Sequence, residues 1–557
     1  MPSPASDPDR VATGANRSPT GRNLAELAAA AARRDLGHPA MVDVTSGRTL
    51  SWGALDDAVD AHAGRLREVG VTPGDRVLVR LPTSPEFCVA VFAVLRAGGV
   101  LVPFGTGSTA RELDRVLEHS GATALVAEPA DQVAAVAAAR RGVAAVEPAV
   151  PSQRAQPVAP VGGGEDLAVL AYTSGTSGSP RGVMLSHRAL LANLEQCAAL
   201  RPPPVTAADR VLLALPLFHS YGLGPGLLQV AHAAATAVLT DRFDAEEALS
   251  AIREHRVTMV VGVPPMYRAW LRLAPERLAD GLATVRMLTS GAAPLDPRVL
   301  AGMRRVTGLD VFEGYGLAET GPVLTSTLVG GFAKPGSVGR PLPGAPAAGV
   351  GPVEIRLVDA GGRPLPMDID DDEDAGDTGV VAARGPNLFS GYWPDGAHGP
   401  GELPGLGDGW LRTDDVGFVD ADGDLHLVDR AGDLIIVNGF NVYPREVEDV
   451  LVEHLAVAEA AAVGIPHERT GEAVCAVLVP VPGARPTTRE IVDHCAARLA
   501  RFKVPVEVVL ADRLPHLPTG KLARRLLRNP DPDYRVLPPE RGRSHPDNSV
   551  LPPERDE

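Results

Sequence analysis

The alternation of short apolar runs with helical patterns is the feature of this chain that most restricts its fold. The apolar run Val77–Leu81 precedes the helix-like stretch Glu86–Ala97, and the run Val100–Phe104 follows it. Beyond residue 165 the pattern resumes with the short apolar runs Val211–Leu215, Met259–Val263 and Val285–Leu288. Such alternation is typical of α/β units built around a largely parallel sheet. We therefore predict a large N-terminal domain made of α/β subdomains.

The last third of the chain has a different pattern. From about residue 350 to 428 the strand-like runs are shorter and turns are more frequent, which indicates a small β-rich subdomain. After a boundary near Asp429–Asp433 the predicted elements are a helix from Pro444, strands at Val457–Gly464 and Ala473–Val479, a helix at Thr488–Leu499 and a strand at Val506–Leu510. We predict a disordered tail over residues 1–22, a large domain over 23–430, a small α+β domain over 431–529 and a disordered Pro-rich tail over 530–557.

Length, charge and cysteine spacing exclude several classes of protein. A chain of 557 residues is too long for one ordinary core, so more than one domain is expected. The formal net charge of -16 argues against nucleic acid or an anionic membrane as the main partner, because both require a basic surface. The four cysteines form no CxxC pair, which argues against a disulfide framework or a cysteine metal cluster. The polar N-terminus and the lack of a long apolar run predict a cytoplasmic protein without a membrane span.

The strongest chemical signal is the segment Tyr172-Thr-Ser-Gly-Thr-Ser-Gly-Ser-Pro-Arg-Gly182, which directly follows the apolar run Leu167–Ala171. Small residues let backbone N–H groups approach an anion closely, and the hydroxyls can donate to phosphate oxygens. A Walker A loop is excluded because the pattern G-x-x-x-x-G-K-[ST] is absent. A flexible linker would not lie tightly between two apolar strands. The segment therefore predicts a phosphate-binding loop.

This loop resembles that of the adenylate-forming superfamily of acyl-CoA synthetases, adenylation domains and luciferases, which reads YTSGTTGxPKGV. In this chain Ser177 replaces the second Thr of the TT pair and keeps its hydroxyl. Arg181 replaces the Lys, so the charge is kept but its shape and donor geometry differ. The resemblance implies that ATP phosphates are bound by Thr173, Ser174, Gly175, Thr176, Ser177, Gly178 and Arg181.

Further motifs follow in the order found in this superfamily. They are Pro216-Leu-Phe-His219, Ser290-Gly-Ala-Ala-Pro294, Glu313-Gly-Tyr-Gly-Leu-Ala-Glu-Thr320, Trp410-Leu-Arg-Thr-Asp-Asp-Val-Gly417 and Pro518-Thr-Gly-Lys521. The resemblance covers roughly residues 23–529, and it is strongest to bacterial fatty-acyl-CoA ligases. In the fourth motif Asp414 stands where the superfamily has Gly.

The resemblance assigns roles to individual residues. It implies that Tyr315 stacks on adenine, that Thr320 contacts the α-phosphate, and that Asp415 and Arg430 contact the ribose. Glu319 and Thr173 are expected to hold Mg²⁺. The remaining adenosine contacts are expected from Gly291, Ala292, Ala293, Glu313, Gly314 and Gly316. The acid is expected to lie against His219, Tyr221, Gly222, Val263, Pro264, Ser290 and Gly291.

The C-terminal motifs imply a domain that moves. Lys521 is expected to reach the adenylation site and to bridge the acyl and phosphate oxygens. One lysine cannot occupy that space while a thiol enters it, and the superfamily solves this by rotating the C-terminal domain about a hinge. The hinge position holds Gly432 here, where Asp or Lys is usual. The loop expected to line the CoA channel contains Gly439, Phe440, Asn441 and Tyr443.

These features predict a two-step ligase. A carboxylate is a poor electrophile, and its attack on ATP requires cations to neutralise charge on the phosphate. We expect an acyl-CoA synthetase that acts on a fatty or bulky alicyclic acid with ATP, Mg²⁺ and coenzyme A, as a monomer or homodimer. The alternatives are a ligase that loads a carrier protein, an enzyme specialised for thiolation, and a low-turnover acyl-adenylate-binding protein. Catalytic roles are expected for Lys521, Glu319, Thr173 and His219.

Overall fold

The computed structural model describes residues 21–148, 156–173, 181–366, 378–394, 406–430, 433–437, 440–467, 470–516 and 522–528. Internal contacts divide the chain into a large unit, Met1–Thr413 with Gly417–Leu427, and a small unit, Asp414–Val416 with Val428–Glu557. Both units combine helices and strands, so the predicted α/β class with a large N-terminal and a small C-terminal part is confirmed. Residues 1–20 of the predicted N-terminal tail and the whole predicted C-terminal tail, 530–557, lie outside the described residues, whereas Arg22 is described and its guanidinium lies 3.1 Å from the Glu195 carboxylate.

The helices alternate with strands along most of the large unit. Their bounds are α1 Glu26–Arg34, α2 Trp52–Glu68, α3 Pro85–Ala97, α4 Ala110–Ser120, α5 Gln132–Arg141, α6 His187–Ala198, α7 Gln229–Ala233, α8 Ala245–Glu254, α9 Pro264–Trp270, α10 Pro275–Gly281 and α11 Pro297–Thr307. A π-helical segment, Gly222–Leu228, precedes α7. The small unit contributes α12 Pro444–Val452, α13 Thr488–Ala496 and α14 Arg524–Arg528.

The strands are short, as the apolar runs predict. The first ten are β1 Pro39–Asp43, β2 Thr49–Ser51, β3 Arg76–Arg80, β4 Val100–Pro103, β5 Ala124–Ala127, β6 Ala144–Val146, β7 Leu167–Thr173, β8 Arg181–Ser186, β9 Arg210–Leu213 and β10 Thr236–Leu239. The next ten are β11 Met259–Gly262, β12 Met287–Ser290, β13 Val311–Tyr315, β14 Thr325–Ser326, β15 Arg340–Pro341, β16 Glu354–Val358, β17 Gly379–Arg384, β18 Tyr392–Trp393, β19 Leu411–Val419 and β20 Leu425–Arg430. The last five are β21 Ile435–Val437, β22 Phe440–Val442, β23 Val457–His467, β24 Gly471–Pro480 and β25 Glu507–Leu510.

Two mainly parallel sheets carry the large unit. Within the described residues, one has nine strands in the order β15-β14-β13-β12-β11-β9-β10-β1-β2, and its run from β13 to β1 is parallel. The other has seven strands in the order β18-β8-β7-β4-β3-β5-β6, and in it β8 is antiparallel to both of its neighbours, β7 and β18. Strands such as β4 and β11 are buried throughout, which explains why they read as continuous apolar runs.

Smaller sheets complete the fold. Strands β16, β17, β19 and β20 form a four-stranded sheet in that order, in the region where the sequence predicts a β-rich subdomain. In the small unit the order is β22-β21-β24-β23, with β25 parallel to β24. Its core is formed by side chains of the sheet and of α12 and α13, including Val447, Leu451 and Ile491. In the described part of the chain, no helix is long and apolar enough to cross a membrane.

Local signals set the helix ends, and α3 illustrates them. The Ser84 hydroxyl accepts a hydrogen bond from Phe87 N, and Pro85 occupies the first turn, where its missing N–H costs nothing. Gly98 then ends the helix with φ +89°, a left-handed conformation that suits glycine. The helix lies within one residue of the predicted stretch Glu86–Ala97.

Candidate active site

Three parallel strands bring the predicted acid and adenine residues to one edge of the nine-stranded sheet. In the register of β11, β12 and β13, Gly262 lies beside Ser290 and Ser290 lies beside Glu313. Because parallel strands end at the same edge, the segments that begin at Val263 and Gly291 leave the sheet side by side, next to Gly314, which continues β13. Motifs that are separate in the sequence therefore lie close together in space.

The turn after β12 is held by a carboxylate from β13. Ala292 adopts φ +65°, the left-handed region that a non-glycine residue rarely visits. The Glu313 carboxylate is buried, and its Oε1 accepts a hydrogen bond from Leu295 N at 3.2 Å. Glu313 thus fixes the turn that carries Gly291, Ala292 and Ala293, a supporting role that the motif alone did not indicate.

Two tyrosines close the space behind this turn. A Cβ placed on Gly291 would lie 2.8 Å from Tyr221 Cε2, so the Tyr221 ring lies flush against that glycine. The Tyr221 Oη lies 3.4 Å from Thr289 Oγ1, and the buried Tyr267 hydroxyl donates to the Thr289 carbonyl at 2.5 Å. Burial raises the pKa of both phenols, which therefore stay protonated at neutral pH. The sequence predicted Tyr221 as a pocket residue and missed Tyr267.

His219 precedes Tyr221 and is neutral at physiological pH. Burial lowers the pKa of His219 to about 4. Its Nδ1 accepts a hydrogen bond from Tyr221 N at 3.4 Å, which leaves the proton on Nε2. The residue can therefore donate one hydrogen bond at this edge of the sheet without bringing a positive charge to it.

The predicted phosphate loop joins two antiparallel strands. Thr173 at the end of β7 pairs with Arg181 at the start of β8, so these two predicted phosphate contacts stand opposite each other. The connecting residues Ser174, Gly175, Thr176, Ser177 and Gly178 lie outside the described residues. The Arg181 guanidinium lies 5.2 Å from the centre of the Tyr392 ring, within the range of a cation–π interaction.

Tyr392 connects this hairpin to Glu319. Its hydroxyl donates to Glu319 Oε1 at 2.9 Å, and the pKa of the phenol is raised by burial and by Glu319. The motif analysis missed Tyr392. A usable signal was present, because aromatic residues make up only 4% of the chain and Tyr392-Trp393 stand together between a glycine and a proline.

Thr320 is fully buried, and its hydroxyl is used inside its own turn. Oγ1 accepts from Leu317 N at 2.9 Å and lies 2.9 Å from the carbonyl of Pro322. Its predicted contact with the α-phosphate would have to replace or share these bonds. The role of Thr320 toward phosphate stays a prediction.

The residues predicted to hold Mg²⁺ have suitable chemistry. Glu319 offers a partly exposed carboxylate and Thr173 a hydroxyl, and oxygen atoms are the ligands that Mg²⁺ prefers. A separate acidic group, Asp420, Asp422 and Asp424, surrounds the Lys334 ammonium, which lies 2.6 Å from the carboxylates of Asp420 and Asp422. The Lys334 ammonium therefore offsets negative charge of this acidic cluster.

The remaining predicted contacts belong to several parts of the chain. Tyr315 and Asp415 are each nearly buried, in β13 and β19 respectively. Residues Phe440 and Asn441 belong to β22, and Tyr443 lies directly before α12. Arg430 ends β20. Lys521, Gly432 and Gly439 lie outside the described residues, and the roles of all these residues stay predictions.

Comparison with known proteins shows what the whole chain is similar to. The family described as AMP-binding enzyme matches residues 27–393, and the AMP-binding enzyme C-terminal domain matches residues 446–521. A feruloyl-CoA synthase from Amycolatopsis sp is 37% identical over 86% of this chain and 93% of its own. A long-chain-fatty-acid–CoA ligase from Bacillus subtilis (strain 168) is 32% identical over 82% of this chain and 86% of its own. The crystal structure of ATP-bound MatB from Rhodopseudomonas palustris superposes with a TM-score of 0.81 at 32% identity, covering 91% of this chain and 98% of that one.

Proposed function

Because this chain belongs to the AMP-binding enzyme family and is an acid–thiol ligase that uses ATP and CoA, we propose that its acid is compact and apolar, either aromatic or alicyclic. The membership confirms the resemblance to the adenylate-forming superfamily. The proposal keeps the bulky alicyclic acid expected from the sequence and adds the aromatic acid. It makes a long fatty acid the less favoured substrate.

The observation that carries this proposal is that the side chains of Tyr221 and Tyr267 occupy the space beside Gly291 and Gly262. The Tyr221 ring lies directly against Gly291, and the Tyr267 hydroxyl lies against Gly262. Both phenols are anchored on Thr289, one near its hydroxyl and one on its carbonyl. A long alkyl chain would have to displace the buried Tyr267 ring and the partly buried Tyr221 ring and break the Tyr267 hydrogen bond, whereas a flat ring can stack on Tyr221.

The described residues support the chemistry of adenylation. Arg181 brings a permanent positive charge to the end of the hairpin where phosphate is expected, and Thr173 brings a hydroxyl. Glu319 and Thr173 would hold Mg²⁺, which would further neutralise the phosphate charge. His219 can orient the acid or the thiol as a neutral donor. No side chain has to form a covalent bond, since the acid displaces pyrophosphate from ATP to give the acyl adenylate, and the thiol then displaces AMP.

An acid panel tests the proposal. Ferulate, benzoate, cyclohexanecarboxylate, octanoate and palmitate are offered with ATP, Mg²⁺ and CoA, and the thioesters are quantified by mass spectrometry. We expect the ring acids to give the highest kcat/KM. Tyr221→Ala should open the pocket and raise the ratio of kcat/KM for octanoate over that for ferulate by at least about 10-fold.

Tyr267→Phe is the matched control, because it keeps the ring and removes only the hydroxyl. It should change the preference between acids less than Tyr221→Ala does. A wild-type preference for palmitate, unaltered in Tyr221→Ala, would refute the compact pocket. Replacing CoA by a phosphopantetheinyl carrier protein in the same assay tests the carrier-loading alternative.

A further inference from the structure

We propose that Tyr392 is a positioning residue that orients the Glu319 carboxylate and couples it to Arg181, an inference that rests on the proposed function of Glu319 as a magnesium ligand. The proposal concerns three side chains contributed by three separate segments of the large unit. They are the start of β8, the short turn Ala318–Thr320 and the two-residue strand β18.

The backbone holds Tyr392 and Glu319 in a fixed relation. Phe389 N donates to the Glu319 carbonyl at 2.9 Å, so the segment before β18 is attached to the turn that carries the carboxylate. Met184 exchanges backbone hydrogen bonds with Ser390 and Gly391, at 2.8 Å and 3.0 Å. Tyr392 is then paired with Val183 in β8. The Tyr392 phenol is therefore carried by a strand that is hydrogen-bonded to β8, and not by an unattached loop.

The side-chain contact selects one oxygen of Glu319. Tyr392 donates to Oε1 at 2.9 Å, and its ring packs edge-to-face on Phe389 with centroids 5.0 Å apart. Among the described residues, Tyr392 is the side chain that bonds to this carboxylate. With Oε1 engaged, Oε2 is the oxygen best placed for a cation. Hydrogen bonds of this kind orient a ligand and tune its basicity.

Arg181 contacts the ring of the same tyrosine. Its guanidinium is centred 5.2 Å from the Tyr392 ring, where a planar cation can stack and withdraw electron density. A lysine at this position would present a compact ammonium without the planar face. The contact gives a physical reason for the arginine that distinguishes this phosphate loop from the usual superfamily pattern.

The test compares Tyr392→Phe with the wild-type protein. The substitution keeps the ring and its stacking on Phe389 and removes the hydrogen bond to Glu319. Calorimetry of ATP binding at a series of Mg²⁺ concentrations reports the metal dependence without turnover. We expect the apparent Mg²⁺ affinity of the ATP complex to fall about 10-fold, at the lower end of the effect of losing such a contact.

A double-mutant cycle tests the coupling to Arg181. Arg181→Lys should weaken Mg²⁺-dependent ATP binding in the wild-type background and have a smaller effect in Tyr392→Phe, because the stacked partner then no longer reaches Glu319. Equal effects in the two backgrounds would overturn the coupling. Unchanged Mg²⁺ dependence in Tyr392→Phe would overturn the positioning role.

Two further variants separate the causes. Trp393→Phe removes the indole hydrogen bond to the His119 carbonyl from the same strand and leaves Tyr392 in place, so it should alter the Mg²⁺ dependence little. A loss equal to that in Tyr392→Phe would assign the effect to a weakened strand and refute the proposal. Glu319→Gln should abolish most of the Mg²⁺ dependence. If it does while Tyr392→Phe does not, this inference fails and the proposed function stands; if it does not, the proposed function of Glu319 fails.

Discussion

The Asn193 side chain and the Val323 backbone exchange two hydrogen bonds. Nδ2 donates to the Val323 carbonyl at 2.7 Å, and Oδ1 accepts from Val323 N at 3.1 Å. A second asparagine, Asn387, donates to the Thr320 carbonyl at 2.7 Å. Both asparagine side chains are buried, so the segment between Thr320 and Val323 is held by fixed polar contacts on two sides.

Asn193→Ala should destabilise the protein and weaken ATP binding. It removes the Asn193 partner of the partly buried Val323 N–H, while the Val323 carbonyl keeps a longer bond from Asn387 Nδ2 at 3.3 Å, so the cost should be about 1–3 kcal/mol. Chemical denaturation measures the loss, and the KM for ATP should rise because the turn that carries Glu319 is freed. Gln196→Ala is the control on the same helix, since Gln196 donates to the Gly351 carbonyl and accepts only a long 3.4 Å hydrogen bond from Asn193. An unchanged KM for ATP in Asn193→Ala would show that the segment is held by other contacts.

Asp209 predicts a second effect on stability. Its carboxylate accepts hydrogen bonds from Arg286, Thr206 and Thr258 at 2.6–2.8 Å and is buried. Burial alone would raise the pKa of Asp209, but these bonds outweigh burial and lower the pKa to about 2. Asp209→Asn should lower the free energy of unfolding at pH 7 by about 3 kcal/mol.

The acid dependence of that contribution has a definite sign. The unfolded state binds a proton near pH 4, whereas the folded state resists it to about pH 2, so the stabilisation is complete above pH 4 and is lost toward pH 2. The free energy of unfolding, measured by urea denaturation, should therefore fall more steeply between pH 5 and pH 3 for the wild-type protein than for Asp209→Asn. Parallel curves would contradict the assignment.

His62 predicts a loss of stability at milder acidity. It is 1% exposed in α2, and within the described structure neither ring nitrogen has a hydrogen-bond partner. Burial, aided by Arg65, lowers the pKa of His62 to about 4. Protonation near pH 6.5 therefore favours the unfolded state, and stability present above pH 6.5 is lost as the pH falls toward 4.

His62→Leu should make stability less sensitive to pH. At pH 8 the variant should be at least as stable as the wild type, because no hydrogen bond is lost. Between pH 7 and pH 5 the free energy of unfolding of the variant should fall by about 2 kcal/mol less than that of the wild-type protein. This figure follows from about 1.4 kcal/mol for each pH unit below the unfolded pKa. His38→Asn, at a partly exposed position, should keep the wild-type slope. The idea fails if both variants keep that slope.

Lys521→Ala tests the proposed division of labour between the two reaction steps. The rate of acyl adenylate formation, measured by pyrophosphate exchange, should fall to background because the lysine bridge between acyl and phosphate oxygens is lost. Conversion of a supplied acyl adenylate to the thioester should remain largely intact, since the C-terminal domain is proposed to have rotated away by then. An equal loss of both steps in a folded variant would contradict the role proposed for Lys521.

Local pattern predicted the central strands closely and failed where a turn intervened. The run Met259–Val263 became β11 almost unchanged. The run Val285–Leu288 was shifted, because Val285 N closes a turn onto the Leu282 carbonyl and the strand begins only at Met287. A hydrogen bond made at the end of the preceding helix thus overrode an apolar residue's preference for the strand.

Some features of the candidate site were likewise predictable from the sequence, and others were not. The motifs around Ser290 and Glu313 were predictable as neighbours once the strands were assigned as parallel and adjacent. Tyr392 was not predictable from periodicity, because β18 has two residues and its position depends on pairing with β8 about two hundred residues earlier. The support that Glu313 gives to Leu295 and the internal bonds of Thr320 depend on exact turn geometry, which no short motif specifies.

The pairing of β1 with β10 has a consequence for synthesis on the ribosome. Met41 lies beside Ala237, so β1 has no parallel neighbour until about two hundred more residues have been translated. Strands β3, β4, β5 and β6 find their partners within residues 76–146 and can associate much earlier. The nascent chain is therefore expected to carry an open strand edge at its N-terminal end through much of translation, which is the period when it is most exposed to misassociation and most in need of chaperones.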